Sequence, residues 1–182
     1  MLTDADIMLR VQAGECQLFA ILVDRYRARL LRFASSKLGD HTAAEDVVQE
    51  TLLAAYAARD SFRPEFAFST WLWTILINLS RRSFRRKSRR RTHEAAFATA
   101  MALTGDSSPC GLSLLLRQER QDRVHVWLAN IPEPEADAIR LRYFGQLPYE
   151  EIAAAMDSSL SGAKARVHRG LVRLAELARE ER

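Results

Sequence analysis

The sequence predicts an all-α protein of two small helical domains, 1–91 and 118–182, joined by a flexible linker over 92–117. Three observations carry that expectation. Glycine and proline are sparse, 7 and 5 among 182 residues, and no sustained period-2 alternation interrupts a chain dominated by Ala, Leu, Arg and Glu. Apolar residues recur at helical spacing on both sides of 92–117. That intervening stretch is rich in Ala, Thr, Ser and Gly, holds only Glu94, Asp106 and Arg117 as charges, and contains the breaker string GDSSPCG.

The elements follow in order. Residues 4–13 and 15–38 read as two helices broken at Gly14, the second ending at Gly39. Thr42 is placed to cap a third helix over 43–59, with Glu45 as its capping-box partner. On that helix Val48, Leu52 and Tyr56 share one face, while Asp46, Gln49 and Glu50 fall largely off it. The loop DSFRPEFAF, with Pro64, precedes a fourth helix from Ser69 to Arg86 or beyond. There Trp71, by its spacing with Leu72 and Ile75, is expected in the core; Trp73 reads either way. Beyond the linker, helices are expected over 117–130, 133–144, 148–156 and 160–180, with Pro132, Pro134 and Gly145 at the joints.

The charge is concentrated. The formal net charge is +4, yet residues 1–80 carry 8 basic and 10 acidic side chains, and 92–182 carry 11 basic and 13 acidic. The entire excess lies in RRSFRRKSRRR, residues 81–91, with 8 basic groups and no acid. A solvated tail is one reading of such a run. A phosphate-binding strip is the other, because Lys and Arg at phosphates release counterions and give salt-dependent affinity without sequence information.

Several function classes are not expected. No apolar run reaches the 18 or so residues that cross a bilayer. The start, MLTDADIMLRVQ, has acids where an export signal needs a basic and then apolar stretch, so a cytoplasmic protein without membrane insertion is expected. Cys16 and Cys110 stand far apart and read as reduced thiols. His41, His93, His125 and His168 are scattered, with no HExxH, no Cys/His cluster and no phosphate-cradling Gly loop. No catalytic constellation, metal site or cofactor is expected, and the chain does not read as an enzyme.

The stretch LPYEEIAAAMDSSLSGAKARVHRGLVRL carries a helix-turn-helix pattern. Pro148 suits a first helical turn, Ile152 and Met156 are spaced to face a core, and Ala153 permits close approach. Ser159 is a suitable N-cap for the second helix. Leu160, Ala163, Val167 and Leu171 are expected to form its buried stripe, leaving Lys164, Ala165, His168 and Arg169 opposite. Glu150 and Glu151 favour the dipole of the first helix, and Lys164, Arg166, Arg169 and Arg173 gather on the second. An amphipathic hairpin with a solvated basic face satisfies the same pattern.

Taken together, these blocks resemble the extracytoplasmic-function (ECF) sigma factors of the sigma-70 family, which carry only regions 2 and 4. AFAILVDRYRARLLRFASSKLGD followed by AEDVVQETLLAAYAARDSF resembles regions 2.1 and 2.2, and FSTWLWTILINLSRRSFRRKSRR resembles regions 2.3 and 2.4. IPEPEADAIRLRYFGQLPYEEIAAAMDSSLSGAKARVHRGLVRL resembles region 4. Three blocks in the right order and spacing make the match far more specific than a lone hairpin.

The resemblance implies roles. Asp46, Gln49 and Glu50 would dock on the clamp helices of the β′ subunit of core RNA polymerase, and region 4 on the β flap. The loop 61–68, including Arg63, and Asn78 would capture an unstacked base of the −10 promoter element, since an Asn amide can read a base edge. Arg81, Arg82, Arg85 and Arg86 would track the phosphates there. Lys164, Ala165, His168 and Arg169 would touch the −35 element, Lys164 and Arg169 mainly at phosphates. The polymerase core would supply the chemistry, promoter DNA would be the second partner, and an anti-sigma factor would control the chain. A stand-alone helix-turn-helix regulator is the competing expectation; AEDVVQE and the basic run argue against it.

Two departures stand out. The family's glycine at the hairpin turn is Asp157, a residue that tolerates left-handed backbone. A glycine instead stands at Gly162, inside the recognition helix, at a cost of up to about 1 kcal/mol. Small residues at 162, 163 and 165 leave few base-reading side chains and shift weight to shape readout.

Overall fold

The computed structural model describes residues 2–97 and 123–180, all helix, turn and loop. The expected linker beyond residue 97 lies outside them. Helix α1, Asp4–Gln12, starts with a capping box in which Thr3 Oγ1 accepts from Asp6 N at 3.1 Å and Asp6 Oδ2 accepts from Thr3 N at 3.1 Å. Gly14, at φ 104, and a short 3-10 turn at Cys16–Leu18 lead into α2, Phe19–Leu38. Gly39, at φ 59, ends α2 in the left-handed conformation that only glycine adopts freely.

Helix α3, His41–Ala57, begins earlier than expected. Asp40, extended at φ −154, caps it by accepting from Ala43 N at 3.1 Å. The Thr42 cap with Glu45 is therefore corrected: Asp40 stands first after the Gly39 turn and meets the free N–H groups two residues sooner. Helix α4, Phe68–Phe97, runs six residues into the expected linker.

These four helices share one core. Phe19, Leu22, Tyr26, Leu30 and Phe33 line the inner face of α2 at three- and four-residue spacing. Against them pack Ile7, Met8 and Val11 of α1, Ala44, Val47, Val48 and Thr51 of α3, and Phe68, Leu72, Trp73, Leu76 and Ile77 of α4. Trp71 is partly buried against Phe62 and Phe68, with ring centroids 5.7 and 5.8 Å away, as expected of a packing residue. Trp73 resolves to core, fully buried with its ring edge-on to Phe33 at 5.7 Å.

The second half comprises α5 at 123–129, α6 (Glu133–Tyr143), α7 (Tyr149–Ala155) and α8 (Leu160–Glu180). Asp157 takes φ 49 between α7 and α8, so the glycine-less turn closes as expected. Ser159 Oγ accepts from Gly162 N at 3.0 Å, the expected N-cap. A Cβ on residue 162 would lie 3.1 Å from that same hydroxyl, so Gly162 leaves room for the cap.

The expected buried stripe of α8 is corrected in part. Ala163, Val167 and Gly170 face inward, while Leu160 and Leu171 are more than a third exposed. The reason is proximity: a Cβ on Gly170 would sit 2.6 Å from Ile139 Cδ1 of α6. Helices this close admit only small side chains at the seam, which turns the leucines outward.

The halves do not stand apart. Ala138, Leu141, Leu147, Ile152, Ala163 and Val167 belong to the same apolar cluster as the first four helices. Leu128, Ile131, Ala136 and Ile139 form a separate, smaller cluster within the second half.

Candidate nucleic-acid interface

Three surfaces carry the residues singled out from sequence. The first is the outer face of α3. Because Ala44, Val47, Val48 and Thr51 are buried, the helix has one rotation about its axis, and Asp46, Gln49 and Glu50 must face solvent. Leu53, 60% exposed, lies one turn further along the same face. Sequence reasoning missed it; its spacing of seven from Asp46 was the available signal. A narrow cleft of about 130 Å³ between α3 and α4 places Asp46 and Glu50 beside Arg82 and Arg86.

The second surface is α4 with the loop before it. The loop is braced from α1, where Gln12 Nε2 donates to the carbonyls of Arg59 at 2.6 Å and Phe62 at 3.0 Å. Phe62 and Phe68 anchor its two ends in the core, and Phe66 N donates to Arg63 O at 3.1 Å across the turn. Arg63 is exposed between the anchors, and Phe66 projects from the turn 65% exposed. Phe66 is a second residue that sequence reasoning passed over, because one Phe in a string of three gives no hint of which stays outside.

Along α4 the buried positions Leu72, Trp73, Leu76, Ile77 and Ser80 turn Asn78, Arg82, Arg85 and Arg86 to solvent. Arg81 departs from this strip. Its Nε lies 3.3 Å from Asp137 Oδ2 on α6, and it is only partly exposed.

The third surface is α8. Lys164 and His168 are exposed and Ala165 is half-buried. Arg169 is exposed yet engaged, with its Nε 3.1 Å from Glu135 Oε1, while Arg173 Nη1 holds Glu135 Oε2 at 2.8 Å. The Tyr149 ring carries Arg142 at 4.9 Å and Lys164 at 5.9 Å, a cation–π stack at the start of the helix. Among the described residues no group of His, Cys, Asp or Glu could hold a metal ion, and no helix is long and apolar enough to cross a membrane.

Comparison with known proteins fits this arrangement. The family model of Sigma-70 region 2 matches residues 22–90, and that of Sigma-70, region 4 matches 121–174. The ECF RNA polymerase sigma-E factor of Escherichia coli (strain K12) is 35% identical over 177 residues, covering 92% of this chain and 90% of its own. The chain belongs to the ECF sigma factors of the sigma-70 family. It is therefore a transcription initiation factor. The RNA polymerase sigma-H factor of Pseudomonas aeruginosa, 34% identical over 173 residues, covers 91% of this sigma factor and 89% of its own length.

Solved structures agree. RpoE of Bartonella quintana, crystallised with the anti-sigma factor NepR, is 30% identical with a TM-score of 0.65, over 90% of this chain and 98% of that one. CnrH in complex with the cytosolic domain of CnrY shares the fold, with a TM-score of 0.76 at 23% identity over 98% and 99% of the two chains. Helix α1 lies before the part matched by the region 2 model.

Proposed function

We propose that this sigma factor docks on core RNA polymerase through Asp46, Gln49 and Glu50, with Leu53, one turn further along that face, as an apolar contact. Residues 1–91 act as region 2 and residues 118–182 as region 4, the latter also meeting the β flap. The observation that carries the reading is the exposed outer face of α3, where Asp46, Gln49 and Glu50 and one exposed leucine face solvent, with Arg82 and Arg86 at its edge.

The same reading assigns the −10 element to the braced loop and α4. Arg63 and Asn78 read an unpaired base, Phe66 offers it a stacking surface, and Arg82, Arg85 and Arg86 hold the backbone. Stacking on an aromatic ring contributes about 1–3 kcal/mol per base, comparable to the cost of unpairing one. Lys164 and Arg169 meet phosphates of the −35 element, with Ala165 and His168 near its bases. The polymerase supplies the catalysis, and the chain acts in the cytoplasm where polymerase is. The partners of CnrH and of the Bartonella RpoE support control by an anti-sigma protein.

The test is co-elution of the purified chain with bacterial core RNA polymerase, alongside an Asp46→Arg, Glu50→Arg double variant. Stable co-elution that the variant loses is the expected result. An intact chain that fails to bind core polymerase moves the reading to a stand-alone DNA-binding regulator.

A further inference from the structure

The loop that carries Arg63 and Phe66 has little of its own to hold it in shape. Arg63 to Ala67 are all exposed, and the hydrogen bond from Phe66 N to Arg63 O at 3.1 Å is local to the turn. Such a loop samples many conformations unless groups outside it fix where it begins and ends. In this fold both ends are fixed from α1.

At the start of the loop, Gln12, the last residue of α1, turns its amide onto the 3-10 turn Arg59–Ser61. Nε2 carries two N–H groups, and two carbonyls receive them, Arg59 O at 2.6 Å and Phe62 O at 3.0 Å. Arg59 O also accepts from Phe62 N at 3.0 Å. The one amide therefore ties the point where the chain leaves the turn, extended at φ −67 and ψ 134 on Phe62.

At the far end, Asp4, the first residue of α1, accepts from the Tyr26 hydroxyl and from Arg25. The buried Tyr26 ring meets Phe68 edge-on at 5.6 Å, and Phe68 meets Phe62 at 5.8 Å. The two phenylalanines that bound the exposed segment are thus each reached from one end of the same helix. The ring contacts tolerate small shifts, whereas the Gln12 bonds are directional and set where the two carbonyls lie.

This matters for a loop that takes up an unpaired base. Stacking gains and unpairing costs are of similar size, so any ordering of the loop at the moment of capture is subtracted from a narrow margin. A preformed loop avoids that cost.

We propose that Gln12 is a positioning residue for base capture. From a helix ahead of the part matched by the region 2 model, it fixes the take-off of the loop, so that Arg63 and Phe66 meet the base already in place. The inference rests on the −10 role proposed above for that loop. Gln12 acts through the loop and not on the DNA, because both its N–H groups are engaged by carbonyls.

The test offers the core-bound chain a pool of short single-stranded DNA, randomised over its central positions, and sequences the strands that bind. The wild-type chain is expected to enrich one base at the captured position. Gln12→Met keeps the length and loses both donors, and Gln12→Asn withdraws the amide by one methylene. Each should lower that enrichment about tenfold, roughly what two hydrogen bonds contribute if the loop is then in place about a tenth as often. Gln12→Lys returns a donor of sufficient reach and should restore most of the preference. Ile7→Val removes a methyl group from the buried face of α1 and no hydrogen bond, so it should lower the melting temperature and leave the preference unchanged.

Circular dichroism checks folding, and either Gln12 variant suffices if the other misfolds. An undiminished preference in the Gln12→Met and Gln12→Asn chains overturns the positioning role. So does an equal loss in Ile7→Val, or a loss that Gln12→Lys leaves unrestored. A core-bound wild-type chain with no base preference overturns the −10 reading of the loop itself, as does a preference that survives Arg63→Ala combined with Phe66→Ala.

Discussion

At the scale of single residues, Gly170 sets the spacing of α6 and α8. A methyl group there would lie 2.6 Å from Ile139 Cδ1 and 3.3 Å from Glu135 Cβ. Gly170→Ala is therefore expected to destabilise the protein by about 1–3 kcal/mol through overpacking, outweighing the gain in helix propensity. A urea unfolding curve compared with that of Gly162→Ala checks it. Position 162 faces its own N-cap hydroxyl at 3.1 Å, a smaller conflict, so its variant should unfold later. The contrast between Arg81 and its neighbours belongs to this scale too. Sequence placed all the arginines of the run in one strip, because charge and spacing treat them alike. Asp137 on another helix pairs with Arg81, whereas Arg82 and Arg86 lie beside Asp46 and Glu50, and the charge of Arg85 acts on Glu133.

At the scale of elements, α4 combines a buried stripe with a basic outer face, and its salt dependence is calculable. Replacing Arg82, Arg85 and Arg86 by Ala should flatten the logarithmic dependence of promoter binding on salt by about 2–3, since each lost phosphate contact removes about 0.7–0.9. Titrating core-bound chain onto promoter DNA at several salt concentrations measures the slope, and an unchanged slope would remove these residues from the phosphate contacts. Helix α6 plays the opposite part, presenting Glu133 and Asp137 to cations of the first half. Burial raises the pKa of Glu133, but the hydrogen bond from Lys37 and the charges of Lys37, Arg81 and Arg85 outweigh it and hold the carboxyl below its usual range. A depressed carboxylate stabilises the fold fully above its unfolded value, near 4.5, and the contribution disappears as pH falls through the folded value. Glu133→Gln should accordingly lose stability at pH 7 and show less additional loss on acidification than the wild type, read from unfolding curves between pH 7 and pH 3.5.

At the scale of the whole molecule, helix content, the order of the elements and the helix-turn-helix were legible because they depend on local spacing. Turns and caps fixed by one or two residues were read well at Gly39, Asp157 and Ser159, and missed at Asp40, where two neighbouring cap residues compete for the same N–H groups. The polar face of α3 was legible as polar, but its exposure follows from what Ala44 and Val47 pack against. The contact between the two halves was invisible for a physical reason. Asp137 and Lys37 are 100 residues apart, and each alone reads as an ordinary surface charge. By itself the sequence determined the helices and the ordered blocks that resemble the ECF sigma factors, because amphipathic period and motif order are properties of the chain. Tertiary structure alone decided which basic residues are paired and which stay exposed, because pairing and burial depend on which surfaces the fold brings together.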